Sequence, residues 1–235
     1  MSESKQKFRG KSNSLTRRQG TKPPGRRILI VTEGDTEKAY FNAIIQRWRL
    51  HSVVVAVNPD CTDPVSLLNH AKEKDNPESI FGGYDAIWIV YDLEKPNATD
   101  RRNQSQRVKD KITGKNYEKF HLAISDPSFE FWYVLHFDKT TKDFNGADAV
   151  VKHLKKHLSD YKKGIISDKE FDIILPKTPT AIANAKWVRE QSKISKSTTP
   201  MTDVDELWNH SADENNLSPS LFTMCYEEEV AKQMS

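Results

Sequence analysis

Cysteine is nearly absent: the 235 residues contain two. Cys61 and Cys225 have neither metal-ligand spacing nor the makings of a disulfide framework, so both are read as small incidental residues rather than reactive thiols. That excludes a zinc-binding segment and a disulfide-stapled scaffold, and it suits a reducing compartment. No apolar run reaches the ~18 residues that a membrane span requires, and the N-terminus carries no signal-peptide core. A soluble, cytoplasmic protein with no membrane contact is expected. There is no internal repeat, which argues against a solenoid or propeller. The length allows one sizeable α/β domain, or such a domain with an appendage.

What is present is unevenly charged. Residues 1–27 hold nine Lys or Arg against Glu3, a local charge of +8, which leaves −5 on the rest of a chain whose net charge is +3. The segment 1–26 has few large apolar residues and reads as a disordered basic arm. Such an arm either tracks a nucleic-acid backbone or serves as a solubilising tail.

The chain is organised around RRILIVTEGDTEKAYFNAIIQRW, residues 26–48. Ile28 to Val31 reads as a buried strand that stops at a polar turn and continues into a helix capped by Asp35 or Thr36, with Tyr40, Phe41, Ile44, Ile45 and Trp48 on one stripe. Residues 51–59 give a second strand. Asp63-Pro64 starts a helix to about Lys74, with Asp as cap and Pro at the first position. Gly82-Gly83 marks a turn before a third strand at 85–94, apolar on both faces as befits the middle of a parallel sheet. Residues 96–117 read as a loop and an exposed basic helix, and 119–125 as a fourth strand. DPSFEFWYVLHF then gives a short aromatic helix begun by Asp126-Pro127.

Further helices are expected at 146–158, 178–194, 202–210 and 218–232, with Thr202 and Asp205 approximating a capping box and residues 199–201 at a helix start. The division is thus an α/β core at 27–140 and a helical C-terminal elaboration at 141–235, packed on the core.

Three acids recur at strand ends. Glu33 closes the first strand, and Asp92 and Glu94 lie two apart at the end of the third, on one side of the extended chain. If those strands are neighbours, three carboxylates meet in the crevice where α/β sheets bind ligands. Mutual repulsion there is relieved by protonation or by a divalent cation, and Mg²⁺ or Mn²⁺ suits an all-oxygen site. The competing reading is that acids at strand ends are helix caps or surface charges.

Around this trio the options are also paired. Glu37 either reaches the crevice or answers the helix dipole. Glu130, on an apolar helix, either adjoins the acids or forms a structural ion pair. His136 is a proton donor or base, or a hydrogen-bonded core residue, the latter favoured. Its neighbouring aromatics read as packing rather than base-stacking platforms. Lys38 is a phosphate clamp or a surface residue, and Arg101, Arg102 and Arg107 either guide a nucleic-acid backbone or sit on a solvated helix.

TEGDTEKAYF followed by IVYDLE resembles the Toprim pattern, in which a Glu-Gly pair ends the first strand and an acid-x-acid pair ends a later one. The chain more closely resembles RloB, the AbiLii type, through EGDTEKAYF at 33–41, ISDPSFEFWYVLHF at 124–137 and TPMTDVDEL at 199–207. Two departures stand out: the acidic pair is Asp92-Leu93-Glu94 where Asp-x-Asp is commoner, and Asp126 stands where Asn is usual. The resemblance implies a Toprim-like parallel sheet flanked by helices. It also implies a divalent-metal-dependent nuclease in a two-component bacterial antiphage or abortive-infection system.

In that picture Glu33, Asp92 and Glu94 are catalytic and metal-binding, an ABC or SMC-like ATPase is the partner, and RNA, tRNA among it by analogy, or DNA is cut. A topoisomerase or primase lacks the room or the zinc ligands here. The rival from another class is a non-catalytic adaptor that binds nucleic acid or an ATPase. Oligomeric state is left open, a homo-oligomer included.

Overall fold

The computed structural model describes residues 27–57, 63–78, 83–93, 98–112, 117–196, 200–209 and 221–234. The basic arm and Glu94 lie outside them, as do Cys61 and Gly82.

Strand β1 (Ile28–Thr32) leads into α1 (Asp35–Trp48), then β2 (Val53–Val57), α2 (Pro64–Lys74) and β3 (Ala86–Asp92). Helix α3 (Ala98–Ile112) follows, then β4 (Phe120–Asp126), α4 (Glu130–Leu135), α5 (Ala147–Leu154), α6 (Asp168–Ile174) and α7 (Thr178–Ser195). A two-residue strand β5 (Met201–Thr202), α8 (Val204–Asn209) and α9 (Leu221–Met234) complete the described chain. The sheet order is β2-β1-β3-β4-β5, with the first four strands parallel and β5 antiparallel to β4. This is the expected mixed α/β architecture, a mostly parallel sheet flanked by helices and consistent with a Toprim-like core.

Alternation along the strands assigns the two faces. Leu29, Val31, Ile87, Ile89 and Tyr91 pack on Leu67, Leu68 and Ala71 of α2 and Val108 of α3. Ile30, Trp88 and Val90 face the other way, onto Tyr40, Phe41 and Ile44 of α1 and the aromatic α4. Those α1 side chains are at most 1 % exposed, and each contributes about 1.5–3 kcal/mol by leaving water. The same core takes in Val150 of α5, Phe171 of α6, Val188 of α7 and Trp208 of α8, so one continuous core runs across residue 140.

Several expectations need correction. Helix α1 has Gly34 as its N-cap with no side-chain bond; Asp35 is exposed and Thr36 turns inward to bond elsewhere. Asp126 does not cap α4. It ends β4, and its buried carboxylate takes a 2.6 Å hydrogen bond from Arg102.

Residues 201–202 form β5 instead of a helix start, because Thr202 pairs with Ser125 on β4, both by strand register and by a 2.9 Å hydroxyl contact. Asp205 serves no capping box; it meets Arg189 through two bonds of 2.5 and 2.6 Å. Helix α6, begun by a true capping box at Ser167 and Glu170, was not anticipated. The α3 helix is not wholly solvated either: Ser105 and Val108 are buried. Asp63 capping α2 is as expected, accepting from the N–H groups of Val65 and Ser66 at 3.0 Å.

Candidate active site in an acidic crevice

The crevice follows from strand order. The chain leaves β1 for β2 on one side and returns to β3 on the other, so the crossovers diverge between β1 and β3. In open α/β sheets this switch point, beyond the carboxyl ends of the strands, is where ligands bind. Glu33 follows β1 directly, and its N–H extends the ladder by donating to Val90 O at 3.2 Å. Asp92 is the last residue of β3. The two are joined by an Asp92 N–H that donates to Glu33 Oε2 at 3.4 Å.

The strand period turns them apart: Asp92 continues the Trp88 and Val90 face toward α1 and α4, while Glu33 continues the Leu29 and Val31 face toward α3.

Two more acids arrive from the helices. Glu37 is buried at the start of α1, and a Cβ on Gly34 would lie 2.8 Å from its Oε2. A side chain at 34 would make the Glu37 head shift, while the φ of −123° is itself open to any residue. Glu130, fully buried at the start of α4, accepts hydrogen bonds from Ser128 Oγ at 2.7 Å, Tyr161 Oη at 3.1 Å and Thr36 Oγ1 at 3.3 Å. Thr36 in turn accepts from the Gly164 N–H at 3.0 Å, so the 162–165 turn folds over the head of α1.

Burial and like charge act together here. Asp92 has its pKa raised well above the ordinary carboxylate range, first by burial and then by the charges of Glu37, Glu130 and Glu33. Glu37 is pushed up to about 7, by burial first and then by Glu130 and Glu33, with Lys163 acting in the opposite direction. Among the described residues, the buried Asp92 Oδ1 has no hydrogen-bond partner. An unpaired acceptor of that kind is costly to bury unless a proton, a water or a cation meets it.

The candidate cations divide. Arg101 enters the crevice: its guanidinium pairs with Glu33 Oε2, and its Nε donates to Asp92 O at 2.7 Å. Arg102 is held by Asp126 at the end of β4. Arg107 and Lys38 are exposed on α3 and α1. His136 does not join the acids. It is buried in the core with Nδ1 2.9 Å from Trp132 O, and its pKa is lowered to about 4 by burial.

Ser128, Tyr161 and Lys163 are not candidates from sequence, and Thr36 is one only as a cap of α1. Ser128 sits inside a recognised motif, but nothing in the spacing of Tyr161 or Lys163 foretells a turn that closes over α1.

The donor set fits a hard divalent cation in kind: carboxylates only, one with a bare buried oxygen. The fit is looser in placement. Among the described residues, three His, Asp or Glu ligand atoms within 4.8 Å of one another occur at Asp138, His153 and His157, not in the crevice. The crevice acids stand further apart, Glu33 is paired with Arg101, and Glu130 accepts three hydrogen bonds.

Among the described residues, no helix is long and apolar enough to cross a membrane. Neither the curated proteins nor the solved structures give a match to this chain. The family model described as RloB-like protein does match, over residues 28–210. That span includes β1 to β5, all four described acids of the crevice and the Arg189–Asp205 pair, and the chain belongs to the RloB-like family.

Proposed function

We propose that the chain is a divalent-metal-dependent nuclease that hydrolyses phosphodiester bonds in RNA, tRNA among the candidates, or in DNA. The observation that carries this reading is the buried Asp92 carboxyl at the β1/β3 switch point, with Oδ1 unpartnered among the described residues and its ionisation opposed by burial and by Glu37, Glu130 and Glu33. Asp92 and Glu33, with Glu94 beyond the described residues, would hold Mg²⁺ or Mn²⁺ in a Toprim-like arrangement. The chemistry such a cation would supply is neutralisation of phosphate charge and a lowered pKa for a bound water.

The protein's own groups have separable roles. Glu37, titrating near 7, is able to hold or release a proton at neutral pH and is the general acid/base candidate. Glu130 is a positioning residue, since its bonds to Ser128, Thr36 and Tyr161 fix α4 and the 162–165 turn around the crevice. Arg101 is placed to meet a phosphate once it exchanges Glu33 for substrate. Exposed Lys38 and Arg107, with Arg102, offer phosphate contacts on the flanking helices. The family resemblance supports an effector role in a two-component antiphage system with an ABC or SMC-like ATPase as partner.

The Arg101–Glu33 ion pair is the one observation that favours a non-catalytic adaptor, because it neutralises a ligand acid. The test is cleavage of tRNA, other RNA, and single- and double-stranded DNA with Mg²⁺ or Mn²⁺, with and without the partner ATPase. Metal-dependent cleavage lost in folded Glu33→Ala and Asp92→Ala supports the nuclease. Salt-sensitive binding with no turnover under any of these conditions supports the adaptor.

A further inference from the structure

A second cluster of ligating side chains lies at the other end of α4. Asp138 follows this helix by three residues, on the order of 10 Å from Glu130 at the helical rise. His153 lies in the last turn of α5, and His157 follows one turn later, where the chain continues helically through the His157 N–H to Leu154 O bond at 2.9 Å. The four-residue spacing puts both imidazoles on one face. Both point Nε2 at the same atom: His153 Nε2 is 2.7 Å and His157 Nε2 3.0 Å from Asp138 Oδ2.

The rings are held in that orientation. His157 stacks on Phe137 at 4.7 Å and 5°, and His153 meets Phe144 edge-on at 5.3 Å. The side chains remain partly open, at 16 % for His153, 29 % for His157 and 32 % for Asp138. His153 also lines a cavity of about 290 Å³ between the 142–145 loop and α5.

We propose that Asp138, His153 and His157 form a binding site for a transition-metal dication of the zinc class, independent of the acidic crevice. Three arguments carry it. The three ligand atoms lie within 4.8 Å of one another, so small shifts bring all of them to the ~2.0–2.2 Å bonds of zinc. Two imidazoles and one carboxylate with a side open to solvent make the three-ligand set that leaves a fourth position for water or an exogenous ligand. Imidazole nitrogens, through their coordinate bonding, favour a borderline metal over Mg²⁺. The site ties the end of α4 to α5, and so braces the helix whose first residue is Glu130.

The test is a Co²⁺ titration of the full-length, metal-free protein, read by the visible absorption of a four-coordinate cobalt–imidazole site. With excess Mg²⁺ present to fill the acidic crevice, one equivalent of Co²⁺ should give the intense four-coordinate band and be displaced by Zn²⁺. His153→Asn and His157→Gln should each weaken binding by at least about 100-fold, the upper end of what losing a mere supporting residue costs. Asp92→Asn should leave the cobalt spectrum intact. Circular dichroism of His157→Gln, a change at a partly exposed side chain, separates lost binding from lost fold. A folded wild type with no cobalt band, a band unchanged in His157→Gln, or a band lost in Asp92→Asn would each overturn the assignment.

Discussion

Asp92 and Asp205 are both buried aspartates, 8 % and 0 % exposed, and their surroundings could hardly differ more. Asp205 has both oxygens on Arg189, at 2.5 and 2.6 Å, and Arg189 also donates to Thr202 O at 2.9 Å, so the pair pins β5 and α8 to α7. Burial opposes the charge on Arg189, but hydrogen bonding to Asp205 overrides it and raises the guanidinium pKa. Asp92 has three acids for neighbours, its nearest guanidinium is committed to Glu33 and to its own backbone carbonyl, and one of its oxygens is bare. A carboxylate that only has to hold a fold is given a cation in the chain itself. One whose ionisation is opposed by burial and by its own kind is held ready for a proton or a cation from outside.

That contrast can be broken in order of effect. Replacing Asp92 by Ala is expected to lower metal-dependent cleavage at least about 1000-fold, roughly 4 kcal/mol in the barrier, with circular dichroism and melting unharmed. Replacing Arg189 by Leu leaves Asp205 buried and unpaired, and is expected to cost about 3–5 kcal/mol in urea unfolding. If the Arg189 variant were as stable as the wild type, the structural half of the comparison would fail.

His136 sharpens it, because its buried Nε2 also lacks a partner among the described residues, yet it sits in the core away from the crevice. Its pKa is depressed to about 4 in the fold, against about 6.5 when unfolded. Its stability contribution is therefore present above pH 6.5 and lost as pH falls toward 4, by up to about 3 kcal/mol. Urea unfolding across that range should show the slope for wild type and a flatter profile for His136→Gln. The smallest effect is in the opposite direction: metal-free Asp92→Asn should be more stable than wild type by about 1 kcal/mol, since it removes a group whose ionisation the fold opposes.

The sheet was largely legible because buried parallel strands write themselves as apolar runs, as in AIWIVYD. Asp63-Pro64 was legible because a cap acts on its own helix. The acids were visible for a similar reason: Glu33 and Asp92 sit at strand ends, and only strand order was needed to bring them together. What escaped was non-local. Nothing near Thr36 says that its hydroxyl will serve Glu130 rather than the helix end, and nothing near Asp205 says that Arg189 will claim it. Residues 201–202 were read as helical because β5 is two residues long, too short for a period, and exists only by pairing with β4.

Whether the crevice takes a divalent cation at Asp92 is decided by the thermal stability of wild type and Asp92→Asn across a Mg²⁺ titration. Mg²⁺ isolates the all-oxygen crevice from the imidazole cluster at Asp138. Metal-free wild type should melt below the variant, then gain about 2.7 kcal/mol when Mg²⁺ reaches a hundredfold excess over its dissociation constant, while Asp92→Asn should not respond. Equal Mg²⁺ stabilisation of both proteins, or none in either, would contradict a cation site at Asp92.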